Sequence, residues 1–425
     1  MDSPARYIHT MGLESSTEKE YDRDISPLSA IHVGAPIEFL IPGTGIFYVS
    51  LRDSYFDLQC AIYLPDGGNL PNDATVGPVN LLPHALFSNI ELHLNGKQVT
   101  EPTNHYPYRA FLETLTNYSQ DVLTNRMILE GWTMDTAGQL NVTNAHANDN
   151  GGLHTRGAWF ARSRVVRFLF RPNLDLFHQD SDIPPNTDIR IRLIPHRVQF
   201  YLMANVNNIA YNLRITNLRL WLRTREVSST CLLLHQSQLH SGSSYRIAMP
   251  SVRIKTLSIP ANALRHEFDN IYMGILPHRI LLAMVNDGNM SGQWQSNPFN
   301  FEHFGLSSLA LRVNGEQIPR VAYQPDFGDD AHDYKREFCS LLSALDLDRD
   351  TSRTLSITPD QWANGYTFFA FRLTPNQSAS QLSGSVRLEI RFAAANNHII
   401  NVLLLAETTS AIEIDKYKNL LMFNL

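Results

Sequence analysis

Charge is scarce in this chain. Of its 425 residues only 18% are Asp, Glu, Lys or Arg, against about 25% in an average soluble domain. A surface so thinly charged is expected to be covered, and subunit contacts are the simplest cover. Cysteine is scarcer still. Cys60, Cys231 and Cys339 are scattered and odd in number, which argues against a disulfide framework or a zinc-type ligand set. No apolar run approaches the roughly 18 residues of a membrane-spanning helix. The opening stretch from Met1 to Asp22 lacks the apolar core of a secretory signal, so synthesis in the cytosol is expected, with no transmembrane segment.

A basic arm is also missing. The net charge is −6, and near the N-terminus Glu14, Glu18, Glu20, Asp22 and Asp24 outnumber Lys19 and Arg23. A protein that grips nucleic acid carries a basic patch or tail, so no specific nucleic-acid binding is expected. Catalytic signatures are absent too. There is no phosphate-binding G-x-x-x-x-G-K-S/T loop, and Gly43-Thr-Gly45 reads as a turn. Ser241-Gly-Ser-Ser244 is not a nucleophile elbow. His235 and His240 are five apart, off the spacing that aligns two ligands on one helix face. Asp329-Asp330 lies in a polar loop and reads as solvated, while Glu91 and Glu389 read as outward ion-pairing partners on alternating strands. No catalytic residue, metal or cofactor is assigned.

What the sequence does have is alternation. Segments 36–41, 56–63, 89–94, 166–170, 188–193 and 213–223 read as strands, the last with an irregularity at Asn217. Segments 251–257, 280–285, 309–313, 368–372, 386–392 and 400–405 follow in the second half. Helical spacing is confined to a few places. Tyr108, Phe111, Leu112 and Leu115 share one face, Tyr334, Phe338, Leu341, Leu342 and Leu345 another, and 228–240 suggests a short connecting helix.

The two halves repeat one plan. Leu92-His-Leu-Asn-Gly-Lys-Gln-Val99 matches Leu311-Arg-Val-Asn-Gly-Glu-Gln-Ile318, about half the chain apart. Asn95-Gly96 and Asn314-Gly315 are each a strong hairpin signal, because both residue types tolerate positive φ. Phe168-Leu-Phe-Arg-Pro-Asn173 similarly answers Phe369-Ala-Phe-Arg-Leu-Thr-Pro-Asn376. The expected architecture is all-β: two tandem eight-stranded jelly rolls, each with one short helix between early and late strands. The expected boundaries are an arm over 1–35, a first jelly roll over 36–227, a linker over 228–240, a second jelly roll over 241–410 and a tail over 411–425. Polar insertions at 124–162, 319–332 and 346–364 are expected to face solvent or partners, since Asn144-Ala-His-Ala-Asn-Asp-Asn-Gly-Gly152 looks unable to build a core.

The stretches Val76–Val99 and Tyr106–Leu115 resemble the first-domain signature of the hexon-type major capsid proteins of Polinton/Maverick elements and adintoviruses. Asn297-Pro-Phe-Asn-Phe301, Val313–Pro319, Gly365–Phe371 and Ile412-Glu-Ile-Asp415 are similar to the same family, in the same order. The resemblance spans roughly residues 36 to 420. It implies a double jelly roll, a homotrimer with pseudo-sixfold outline, contacts with neighbouring capsomers, and an icosahedral virion shell around double-stranded DNA. It also implies a single-jelly-roll penton protein at the vertices.

Within that reading the candidate interface residues are Arg190, Arg192, Arg214 and Arg219, which alternate with apolar residues, and Leu420 and Phe423 in a tail too apolar to be free. The arginines read either as the polar face of a half-buried strand or as partners of acidic residues across a domain or subunit boundary. A monomeric carbohydrate-binding all-β protein, with aromatics clustered on a groove, is the alternative.

Overall fold

A computed structural model describes residues 17–43, 45–205, 209–328, 333–347, 354–374 and 383–424. Asp329, Asp330 and Asn376 lie outside the described residues.

The two main sheets of the first domain contain eight strands: β1 (Thr17–Ile25), β2 (Ile37–Ile41), β3 (Phe47–Tyr63), β4 (Phe87–Leu94), β5 (Lys97–Gln98), β6 (Val166–Phe170), β7 (Ile189–Pro195) and β8 (Asn212–Val227). They form two antiparallel sheets, ordered β1-β8-β3-β6 and β2-β7-β4-β5. The second domain repeats this with β9 (Tyr245–Ile259), β10 (Arg265–Ile275), β11 (Arg279–Asn286), β12 (Leu306–Val313), β13 (Glu316–Tyr323), β14 (Phe368–Arg372), β15 (Ser383–Phe392) and β16 (Ile400–Ile414). Its sheets run β9-β16-β11-β14 and β10-β15-β12-β13. Counted within each domain, both orders are 1-8-3-6 and 2-7-4-5. This is the jelly-roll winding, present twice, and it places both Asn-Gly turns between the fourth and fifth strands.

Alternation explains the packing. In β7, Ile189, Ile191 and Leu193 are buried while the arginines between them are not. Facing sheets meet through Phe39, Phe56 and Phe170, with Phe56 and Phe170 stacked 5.4 Å apart. The slip anticipated at Asn217 is a bulge in the β8–β3 ladder, between Ile215 and Asn217.

Several elements differ from expectation. The arm expected over 1–35 contains β1, the first strand of the first jelly roll. Its residues show no apolar alternation because none of them is buried. It is held instead by its ladder to β8 and by ion pairs, Asp22 to Arg223 at 2.7 Å and Glu20 to Arg225 at 2.8 Å. The acidic cluster is therefore one half of a cross-strand charge zipper. The tail expected over 411–425 begins inside β16, turns at 415–419 and returns as β17 (Leu420–Asn424) on the edge of β16. Of the tail's apolar side chains, Leu420 is buried while Leu421, Met422 and Phe423 remain exposed.

Among the helices are α1 (Tyr106–Asn117), α2 (Gly151–Phe160), α3 (Ser229–His240) in the linker, α4 (Lys335–Ala344) and α5 (Pro359–Ala363). The first domain thus carries more helix than expected. The 124–162 segment is not a solvent-facing loop: Trp132, Leu140, Ala145, Leu153 and Phe160 are buried. Its Asn-rich run works through geometry. Asn150 caps α2 by accepting from Leu153 N at 3.3 Å, and a Cβ at Gly152 would sit 2.4 Å from Met134 O. The 346–364 insertion likewise holds α5, closed by a Thr358–Gln361 capping box and anchored by the fully buried Trp362. No described helix is long and apolar enough to cross a membrane.

Candidate functional site

In both winding patterns odd strands run one way and even strands the other. Connections that follow odd strands therefore gather at one end of each domain, and those that follow even strands at the other. The first end carries the long connections, including 99–165 and 324–367. The second carries the Asn-Gly turns.

At the tight-turn end the two hairpins are built alike. Asn95 and Gly96 take φ of 49° and 80°, and Asn314 and Gly315 take 51° and 89°. Asn95 Oδ1 accepts from Asp188 N at 2.9 Å, and Asn314 Oδ1 accepts from Ser385 N at 2.9 Å. Each asparagine so ties its hairpin to the start of the seventh strand of its own domain. The amide nitrogens diverge. Asn314 Nδ2 donates to Ser383 O at 3.2 Å, whereas Asn95 Nδ2 donates to Lys418 O at 3.0 Å. With Lys97 Nζ donating to Leu420 O at 3.1 Å, the first-domain turn holds the C-terminal hairpin of the second domain.

The domain junction is buried and charged. Helix α1 is buried on all sides from Tyr106 to Leu115, which places Arg109 and Glu113 in the interior. Arg109 pairs with Glu113 at 3.0 Å and with Asp175 at 2.5 Å, and donates to Val252 O of the second domain at 3.1 Å. Asp175 in turn accepts from Ser251 Oγ at 3.0 Å and Val252 N at 3.2 Å. Burial pushes the Glu113 carboxyl up to about 7, against the opposing pull of Arg109. A second pair, Arg156 and Asp135 at 2.6 Å, is fully enclosed. Asp135 Oδ2 accepts from Asn297 Nδ2 at 3.3 Å and its carbonyl from Tyr366 OH at 3.0 Å. Phe111 stacks on Phe299 with centroids 4.4 Å apart. Periodicity placed Phe111 on an apolar helix face but did not find the buried Arg109, Glu113, Asp135, Arg156 and Asp175; for the first two, an Arg and a Glu four apart in a largely apolar helix was the available signal.

The candidate arginines are engaged within their own domain. Arg192 lies 3.2 Å from Glu38 and 3.5 Å from Glu91, and Arg190 pairs with Glu38. Arg219 pairs with Asp24 of β1, and the Arg214 guanidinium sits 4.9 Å from the Tyr63 ring centroid. Glu389 pairs with Arg312. The arginines alternate on a polar strand face, and their acidic partners come from the same sheet. Leu420 is buried on the hairpin, while Phe423 is 38% exposed. Among the described residues no group of three or more His, Cys, Asp or Glu is arranged to hold a metal.

No family model matches the sequence. An uncharacterised protein of Caenorhabditis elegans is 20% identical over 370 residues, covering 84% of this chain and 85% of that protein. Among solved structures, a chain of the Sputnik virophage superposes with a TM-score of 0.65 at 11% identity, covering 96% of this chain and 89% of that one. The Faustovirus major capsid protein gives 0.55 at 11% identity, over 93% and 90% of the two chains. The mavirus major capsid protein gives 0.54 at 11% identity, over 100% and 95%. The matched capsid proteins are structural components, not enzymes, and their likeness covers both domains together.

Proposed function

We propose that this chain, a double jelly roll with the fold of viral major capsid proteins, is the repeating subunit of an icosahedral shell around a double-stranded DNA genome. The observation that carries the reading is the duplication itself. Two domains of identical winding are fixed to each other by hydrogen bonds to buried charged groups of the first, Arg109 donating to Val252 O and Asp135 accepting from Asn297, so three chains closing cyclically present six similar jelly rolls in a near-hexagon. Such a unit tiles a surface through repeated edge contacts. It works by assembly, without chemistry on a substrate.

In this reading the long-loop end faces outward and the tight-turn end, with the C-terminal hairpin, faces the genome. The net charge of −6 fits a wall that encloses nucleic acid without gripping it. A penton protein of single jelly-roll type would complete the vertices. The nematode relative fits an origin in an element resident in an animal genome. The exposed Leu421, Met422 and Phe423, together with Leu233 and Leu234 on α3, are the apolar groups we assign to contacts between copies.

The test is solution mass by light scattering behind size exclusion, followed by negative-stain imaging of the same peak. Particles of three 48.2 kDa chains with hexagonal outline, or shells in the void volume, are expected. A stable monomer at high concentration with no hexagonal particles would overturn the reading.

A further inference from the structure

The long-loop end holds a pocket that the assembly reading does not use. Its volume is about 390 Å3, within the roughly 300–1,000 Å3 of small-molecule sites. It lies where four connections meet: 138–141 from the first domain, and 300–304, 363–365 and 396–398 from the second. Its lining is unusually rich in side-chain amides, with Asn141, Asn300, Asn364 and Asn396 beside Glu302 and His398.

Each amide spends one half on the protein. Asn300 Nδ2 donates to Glu302 Oε1 at 2.7 Å, Asn364 Nδ2 to Asp360 O at 2.8 Å, and Asn396 Nδ2 to Phe304 O at 3.1 Å. Asn141 does the reverse, its Oδ1 accepting from Asn297 N at 3.0 Å. Among the described residues this leaves the carbonyls of Asn300, Asn364 and Asn396 open, together with a second N–H on each of those amides and both N–H groups of Asn141. Gly365 lets Leu140 and Asn300 pack against its backbone: a Cβ there would meet Leu140 at 2.5 Å and Asn300 Oδ1 at 2.9 Å. Phe304 adds an aromatic wall.

Open carbonyl acceptors beside open N–H donors suit a ligand whose groups both donate and accept, as hydroxyls do. A cation is less well served. Burial raises the Glu302 carboxyl above its ordinary range, and among the described lining residues it is the single acidic group, so a cation would find one anionic partner only. An acidic sugar would meet the Glu302 carboxylate.

We propose that this pocket binds the hydroxyl-rich end of a neutral glycan. The site goes beyond the shell reading and does not depend on it, because the pocket is complete within one chain. On an assembled shell it would repeat once per copy, which turns weak single-site affinity into strong attachment.

The experiment is saturation-transfer NMR and calorimetry on the full-length protein, with lactose and N-acetyllactosamine as probes and propylamine and 3′-sialyllactose as controls. Saturable binding of a neutral sugar is expected, weakened about five- to tenfold by Asn364→Ala or His398→Ala. Both residues are exposed, and unchanged thermal unfolding of the variants will show that the fold is intact. Lack of saturable binding by either neutral sugar, binding insensitive to both variants, or tighter binding of propylamine or sialyllactose would each overturn the proposal. Any of these would leave the trimer measurement untouched.

Discussion

The Arg156 guanidinium lies 2.6 Å from the Asp135 carboxylate with neither side chain exposed, and Asp135 reaches on to Asn297 in the other domain. Arg156 is further held by Pro78 O at 2.8 Å and Thr133 O at 2.7 Å. The pair sits in a segment whose composition suggests a loop. It makes that segment the cement between the two jelly rolls.

Breaking one partner should be costly, because the other is left charged and buried. Arg156→Ala is expected to lower stability by about 3–5 kcal/mol, measured by denaturant unfolding. The two domains should then unfold in separate transitions, where the wild type gives one. A single cooperative transition at wild-type midpoint would contradict the role assigned to the pair.

The two Asn-Gly turns offer a matched comparison. Asn95→Ala and Asn314→Ala each lose a side-chain tie to the seventh strand and place alanine at positive φ, an expected cost of about 1–2 kcal/mol each. Only Asn95→Ala also releases the Lys418 carbonyl. Hydrogen exchange should therefore show loosening of β17 in that variant and not in the other.

The C-terminal hairpin is expected to matter more for association than for folding. Deleting residues 417–425 removes one buried apolar side chain, Leu420, and the exposed Tyr417, Leu421, Met422 and Phe423. Trimer yield or solubility should fall while the unfolding midpoint of the remaining protein moves little. Trimers of normal yield after the deletion would remove the tail from the assembly contacts.

Acid should destabilise the first domain through His196. Its ring is stacked on Phe200 at 3.8 Å, and its Nδ1 accepts from Arg197 N at 2.9 Å. Burial, reinforced by the Arg197 charge, lowers its pKa to about 4 from 6.5. The folded state thus binds fewer protons than the unfolded state between those values. The stability is present above pH 6.5 and is lost as the pH falls toward about 4, a total on the order of 3 kcal/mol. His196→Gln should flatten the stability profile across that window. An unchanged slope would assign the acid sensitivity elsewhere.

Strand β1 should respond to salt. It buries none of its side chains, and its ion pairs are partly exposed and open to screening. Exchange of the β1 amides should speed up between low and high ionic strength. The amides of β9, its counterpart with buried alternate residues such as Ile247 and Met249, should change little.

The sequence by itself determined the class and the duplication. Alternating Ile and Arg in β7, and the paired Asn-Gly turns, specify half-buried strands and tight hairpins locally, because pleat period and positive φ depend only on neighbouring residues. It did not reveal β1, whose ties to Arg223 and Arg225 cross about two hundred positions and leave no apolar pattern. Nor did it reveal that the Asn-rich stretch before α2 is interior. Asn150 and Gly152 read as loop residues until the structure shows a cap satisfied and a backbone approach that only glycine allows. The domain junction was decided by tertiary structure alone. Whether Arg109, Asp135 and Arg156 are solvated or buried depends on which surfaces the fold brings over them, and composition is silent on that.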